Sequence, residues 1–319
     1  VLTTHKGKRF SAAKAFLDRV RGRANLDVLT GVRVERVLFE GKRASGIQLA
    51  DRNIACHGEI ILSAGAVESP KLLELSGIGD SARLKALGIE PLVHSPLVGE
   101  NLREHRYVAV DWKVKSGSSN RNLQGFGLLA SVLRYFLLSS GPMTDAAHEV
   151  GGFIKTRPEL TRPDAQIGSM LVTMSIGADG APVLDKFPGM RVLGYFTRPE
   201  SRGWTHVTSK DPAASPAINA NHFAEEIDRR TAVDLFKWLR RLGRQPTLSL
   251  WITEETGKGA AFQTDEEIAA NLLLLGGTSF HIAGTAAMGA DETSVLDPQL
   301  RVRGVDGLRV CARGRLGLE

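Results

Sequence analysis

His281 lies in the run T-S-F-H-I-A-G-T-A-A-M-G, Thr278 to Gly289, with an aromatic before it, a branched aliphatic after it and glycines at 284 and 289. A neutral imidazole, whose ordinary pKa is about 6.5, can take a proton from a hydroxyl at physiological pH. Gly284 and Gly289 let the backbone come close to a flat partner. On these residues alone, a packed imidazole satisfied by hydrogen bonds competes with that role. His105 closes the run G-E-N-L-R-E-H, Gly99 to His105, and in such a loop the expectation is a structural hydrogen-bonder.

Other chemistries find little to build on. The eight histidines are scattered, and neither H-E-x-x-H nor G-x-S-x-G occurs. Cys56 and Cys311 have no ligand spacing, so no metal is expected and a reducing compartment is the default. The formal net charge of +6 comes from Lys and Arg interleaved with Asp and Glu, without a basic stripe, so nucleic acid is not an expected partner.

The elements that must position His281 centre on Gly65 to Gly79, G-A-V-E-S-P-K-L-L-E-L-S-G-I-G, and the strand Ile60, Ile61, Leu62 that feeds it. Ala64 and Gly65 turn the chain. Ser69 is then a good N-cap and Pro70 a good first helical residue, with Gly77 as the stop. A strand, a tight turn and a helix make the kind of corner at which open α/β sheets bind ligands.

That fifteen-residue string resembles the second signature of the glucose-methanol-choline (GMC) family of flavin-dependent oxidoreductases. Thr278–Gly289 resembles the family's H-P-x-G-T-x-x-M-G segment, and Gly99–His105 its G-x-N-L-x-D-H junction, with Glu104 in place of Asp. Arg198–Trp204 with Asp211-Pro212, and the run from Arg23 to Leu38, follow further family patterns. The resemblance implies FAD as cofactor and His281 as the base set against a substrate hydroxyl. It places the backbone of Val34 at the adenine ring, and Ala64 and Gly65 at the cofactor corner. Ile282 replaces the usual Pro, and Ala286 and Ala287 replace bulkier or Cys-type residues, so an altered pocket is expected.

Along the rest of the chain, Ser11 is expected to start a helix through Ala12, Ala15 and Phe16, and Leu26 to Leu38 to form strand, with Ala44 to Leu49 as hairpin partner. Asp80 caps a short helix. Val108, Val110, Trp112 and Val114 alternate with polar residues, as do Gln166–Ile176, Arg191–Thr197 and Trp204–Thr208, the pattern of antiparallel strands with one buried face. Helices are expected at Leu128–Leu138, from Ala232 to Gly243, and after a capping box of Thr264 and Glu267. The apolar run Leu128–Leu138 is too short to span a bilayer and is broken by Ser131, Arg134 and Tyr135. A cytoplasmic location, at most peripheral to a membrane, is the expectation.

The fold class expected is α+β / α/β: part of an FAD-binding Rossmann-like domain, residues 1–106, a mostly antiparallel-sheet substrate-binding domain backed by helices, residues 107–275, and a return to the FAD domain with the active-site segment, residues 276–319. The function implied is FAD-dependent oxidation of a small-molecule alcohol to an aldehyde or ketone, by a dehydrogenase rather than an oxidase, with the electron acceptor unassigned. No G-x-G-x-x-G string occurs in the 319 residues, and A-R-G-R-L-G-L-E after Cys311 does not match the family's tail. The chain is therefore expected to be a fragment, with a frameshift or a misassembled end after Cys311, and to bind FAD poorly. The alternative is a catalytically dead remnant or interaction module that keeps the substrate-side sheet.

Overall fold

The computed structural model describes residues 4–146 and 148–312. The chain divides into two compact units: Leu29–His105, Pro199–Asp228 and the chain from Thr278 form one, and the chain up to Val28, Arg106–Arg198 and Arg229–Gly277 form the other. Among the described residues no helix is long and apolar enough to cross a membrane, and no group of three or more His, Cys, Asp or Glu could hold a metal ion.

In the unit that holds His281, the strand Ile60–Leu62 runs parallel to Leu308–Val310, with Leu308 opposite Ile60. The hairpin of Val34–Glu40 and Arg43–Leu49 continues into Asn53–Ala55 as an antiparallel three-stranded sheet. Val37, Ile60, Leu62, Leu73, Ile78, Leu296, Leu308 and Val310 share one buried cluster. Strand residues and helix residues meet there because the helix Gly65–Leu75 lies on the strand Val34–Glu40, tied at its end by the Val37 N–H donating to Ser76 Oγ at 2.9 Å.

That helix begins at Gly65, not at Ser69 as the sequence predicts, and Pro70 lies inside it. Ser69 is wholly buried and its hydroxyl makes no cap. Gly65 at φ +86° turns the chain directly into helix, so the capping signal at Ser69 is overridden by a turn four residues earlier. Downstream, Asp80 caps Ser81–Ala86 as expected, accepting the Arg83 N–H at 2.8 Å.

The other unit is built on a five-stranded, wholly antiparallel sheet: Val150–Ile154, Ala165–Met170, Gly189–Phe196, Tyr107–Val114 and Ile252–Thr256 lie side by side in that order. Along Tyr107–Val114, Val108, Val110, Trp112 and Val114 are buried and the residues between them are not, the alternation read from sequence. On the other face Arg191 pairs directly across from Asp111, its Nε and a terminal nitrogen donating to the two carboxylate oxygens at 2.6 and 2.8 Å. Those bonds hold the guanidinium pKa above its ordinary value. The helix Glu226–Gly243 ends where a Cβ on Gly243 would strike the Trp112 indole.

Two expectations fail here. The helix expected from Ser11 is a single wide turn, Ala13–Leu17, with Phe16 exposed, and Leu26–Val32 form no strand. No residue of Ala13–Leu17 or of Leu26–Val32 is buried, and short helices and lone strands do not hold without a covered apolar face.

Candidate active site

Three stretches singled out in the sequence meet in one unit as neighbouring extended segments. Leu102 exchanges both backbone hydrogen bonds with Gly203 at 2.8 Å, and Arg103 exchanges both with Ala283 at 2.8 and 2.9 Å. Gly99 N–H donates to the Thr285 carbonyl at 2.8 Å, and Ser279 N–H to the His105 carbonyl at 3.0 Å. Gly284 is required by this approach. Its φ is +94°, and a Cβ there would collide with the Asn101 carbonyl oxygen.

The pairing of these segments delivers His281 to His105. Their Nδ1 atoms are 3.2 Å apart and the rings meet edge-on, 85° between planes and 5.3 Å between centroids. The His281 N–H donates to Glu104 Oε1 at 3.1 Å. Glu104 is buried, and its second oxygen has no hydrogen-bond partner among the described residues. Sequence reasoning treated the two histidines apart, because no spacing rule links residues that far apart in the chain.

The His281 segment also docks on the corner that organises the unit. Pro70 has no N–H to donate to the Ala66 carbonyl one turn back, and Thr285 Oγ1 donates to that oxygen instead, at 2.5 Å. Ala286, next in line, is wholly buried in the unit's apolar core. The small side chain expected to alter the pocket is thus a packing residue.

Ala64 and Gly65 sit at the carboxyl end of the strand Ile60–Leu62. A Cβ on Gly65 would meet nothing within 4 Å, and no side chain caps the helix that starts there. The first N–H groups of the helix therefore have no side-chain cap, the arrangement that can take a polar or anionic ligand. Val34 opens the outer strand of the three-stranded sheet, with one backbone edge unpaired by any strand among the described residues. An uncapped helix start can receive a phosphate, and an unpaired strand edge a hydrogen-bonding ring. A cavity of about 740 Å³ lies elsewhere in the unit, among Val37, Phe39, Ser76, Glu90 and Lys210, and none of Val34, Ala64, Gly65 or His281 lines it.

A second polar cluster went unseen in the sequence. Glu74 is wholly buried in the helix Gly65–Leu75; it accepts the Val207 N–H and faces His206 Nδ1, both at 2.8 Å. His206 Nε2 lies 2.9 Å from Glu100, and the Arg83 guanidinium approaches both carboxylates at 3.8 and 3.5 Å.

The N-terminal and C-terminal models of the GMC oxidoreductase family match residues 1–107 and 199–313. An oxygen-dependent choline dehydrogenase of Paraburkholderia xenovorans is 35% identical over 313 residues, 96% of this chain and 55% of that protein. One from Citrobacter koseri is 33% identical over 314 residues, covering 96% and 56%. Among solved structures, a formate oxidase of Aspergillus oryzae studied for its FAD modification superposes with a TM-score of 0.88 at 25% identity, covering 98% of this chain and 60% of that one. Pyridoxine 4-oxidase of Mesorbium loti gives 0.83 at 25%, covering 98% and 58%. The chain spans little more than half the length of these relatives.

Proposed function

Because the chain belongs to the glucose-methanol-choline family of oxidoreductases, we propose that it carries the proton-accepting side of an FAD-dependent oxidation of an alcohol to an aldehyde or ketone. His281 is the base. The observation that carries this reading is its Nδ1 lying 3.2 Å from His105 Nδ1, on a segment bound through Thr285 to the Ala66 corner.

Two ring nitrogens at that distance share a hydrogen bond only when one is protonated and the other is not. With His281 donating from Nδ1, its lone pair is on Nε2, the tautomer that accepts a hydroxyl proton. His105 then holds the Nδ1 proton as the ring becomes imidazolium, and Glu104 holds the backbone beneath it. FAD, when bound, supplies the acceptor for the hydride that leaves the carbinol carbon. The Ala64–Gly65 corner and the Val34 strand edge are the residues that would hold it.

With the bounds read from sequence, residues 1–106 and 276–319 are assigned to the cofactor and residues 107–275 to the substrate, although the chain up to Val28 packs with the antiparallel sheet and Pro199–Asp228 with the His281 unit. A dehydrogenase is proposed in preference to an oxidase, although the relatives are named oxygen-dependent choline dehydrogenases and the solved neighbours are oxidases. Without a G-x-G-x-x-G string the isolated chain is proposed to bind FAD weakly and to turn over little.

Anaerobic flavin bleaching by choline, aliphatic, aromatic and sugar alcohols tests the reading, in the polypeptide loaded with FAD and in its His281→Ala variant. At least one alcohol is expected to bleach the flavin in the parent, with a rate lower by about 10² to 10⁴ in the variant. Equal rates in both would remove His281 as base. No bleaching with any alcohol would favour the dead-remnant reading.

A further inference from the structure

The helix Gly125–Leu138 is turned inside out. Its inward stripe is Gly127, Ser131 and Tyr135, and Ser131 is its single buried residue, the hydroxyl donating to the Asn122 carbonyl at 2.8 Å. Its outward stripe is Phe126, Leu129, Leu133, Phe136 and Leu137, with Phe126 93% exposed and Phe136 and Leu137 about three-quarters exposed. An ordinary surface helix buries its apolar stripe. A contiguous apolar face of this kind marks a surface that meets something apolar.

The charge around it says what. The hairpin Thr4–His5 with Lys8–Arg9 is packed at the helix's carboxyl end: a Cβ on Gly7 would touch the Ser139 carbonyl at 2.9 Å and the Thr144 methyl at 3.0 Å. Lys6, Lys8 and Arg9 on that hairpin are all exposed. Residues 4–17 and 115–144 together carry Lys6, Lys8, Arg9, Lys14, Lys115, Arg121 and Arg134, and not one Asp or Glu; the flanking acids in sequence are Asp18, Asp111 and Asp145, and Asp185 lies at the helix start, its carbonyl accepting from Gln124. A second copy docking by this face would set like charges against each other. An anionic lipid surface offers the opposite charge and an apolar interior at once.

We propose that this face docks on the surface of an anionic bilayer, with the helix lying in the interfacial plane and the basic hairpin on the headgroups. Fourteen residues make a helix of about 21 Å, shorter than the roughly 30 Å hydrocarbon core, so it lies flat and does not span. The inference does not depend on the chemistry assigned to His281.

Co-sedimentation of the purified chain with vesicles tests it, using phosphatidylcholine alone and phosphatidylcholine containing phosphatidylglycerol. The chain is expected to sediment with the anionic vesicles, less so as salt rises. Leu133→Asp and Phe136→Asp each lower the partition by about tenfold or more. The triple change Lys6→Glu, Lys8→Glu, Arg9→Glu lowers it on the order of a hundredfold on anionic vesicles, at about fivefold per charge lost. These side chains are exposed, so far-ultraviolet circular dichroism and melting should match the parent. A parent that stays in the supernatant, or Asp variants that sediment as the parent does, would overturn the proposal. A dimer in lipid-free buffer that Leu133→Asp splits would assign the face to a second copy instead.

Discussion

Thr285 completes a helix that Pro70 leaves incomplete: its hydroxyl donates to the Ala66 carbonyl at 2.5 Å, where a proline has no N–H to offer. A proline inside a helix ordinarily costs about 3 kcal/mol through the lost bond and the ring's clash. Here part of that cost is met from the segment that carries His281, so two motifs more than two hundred residues apart are one structural device.

Thr285→Val should lower unfolding free energy by about 1–3 kcal/mol, because the buried Ala66 carbonyl loses its partner. In a Pro70→Ala background the residue-70 N–H can fill the place, and the same change should cost about 1 kcal/mol less. Urea titrations of the four proteins measure this; an unchanged cost in both backgrounds would refute the coupling.

His105 should act through His281 and not by itself. In FAD-loaded polypeptide, His105→Ala is expected to lower kcat by about tenfold, less than His281→Ala, and to displace the acid limb of its pH profile while KM stays near the parent value. His105→Gln, which retains a donor and an acceptor, should recover part of the loss. A profile unmoved by either change would reduce His105 to a packing residue.

Glu74 is held in the core by His206 and the Val207 N–H. Glu74→Ala should cost about 3–5 kcal/mol, since it strands His206 beside Arg83 and leaves a buried N–H unmet. Glu74→Gln keeps an acceptor for Val207 and should cost less. Denaturant midpoints decide, and a loss below about 1 kcal/mol for Glu74→Ala would contradict the account.

The Arg83 N–H, donating at the helix start, holds the Asp80 carboxyl below its ordinary pKa of 3.8. A depressed carboxyl stabilises the fold above its unfolded value and loses that contribution as pH falls through the folded one. Asp80→Ala should therefore cost about 0.5–1 kcal/mol near neutrality, and the gap to the parent should close below about pH 4. A gap that persists into strong acid would mean that the cap does not act through its charge.

What was legible in the sequence was local. Gly65 and Gly77 do bound the central helix at φ +86° each, Thr264 and Glu267 do form a capping box, and the Val108–Val114 alternation gave its buried face correctly. Ser69 and Pro70 misled because a capping signal is indistinguishable from a helix interior repaired by a distant hydroxyl. Phe16 and Val32 misled because periodicity reports a face and not whether anything covers it. The meeting of His105 with His281, and of Glu74 with His206, is set by which extended segments pair, and no short-range rule carries that information.

The strand Leu308–Val310 has Ile60–Leu62 as its strand partner, two stretches separated by most of the chain. Loops that long close slowly, and a contact of this span earns nothing until both ends exist. On a ribosome, the antiparallel sheet has all its strands by Thr256, whereas the ledge beneath Ala64 must wait for residues emerging some fifty positions later. Ile61, more than half exposed in this structure, is meanwhile a bare apolar edge, and a cell making this protein would need to shield it through that interval.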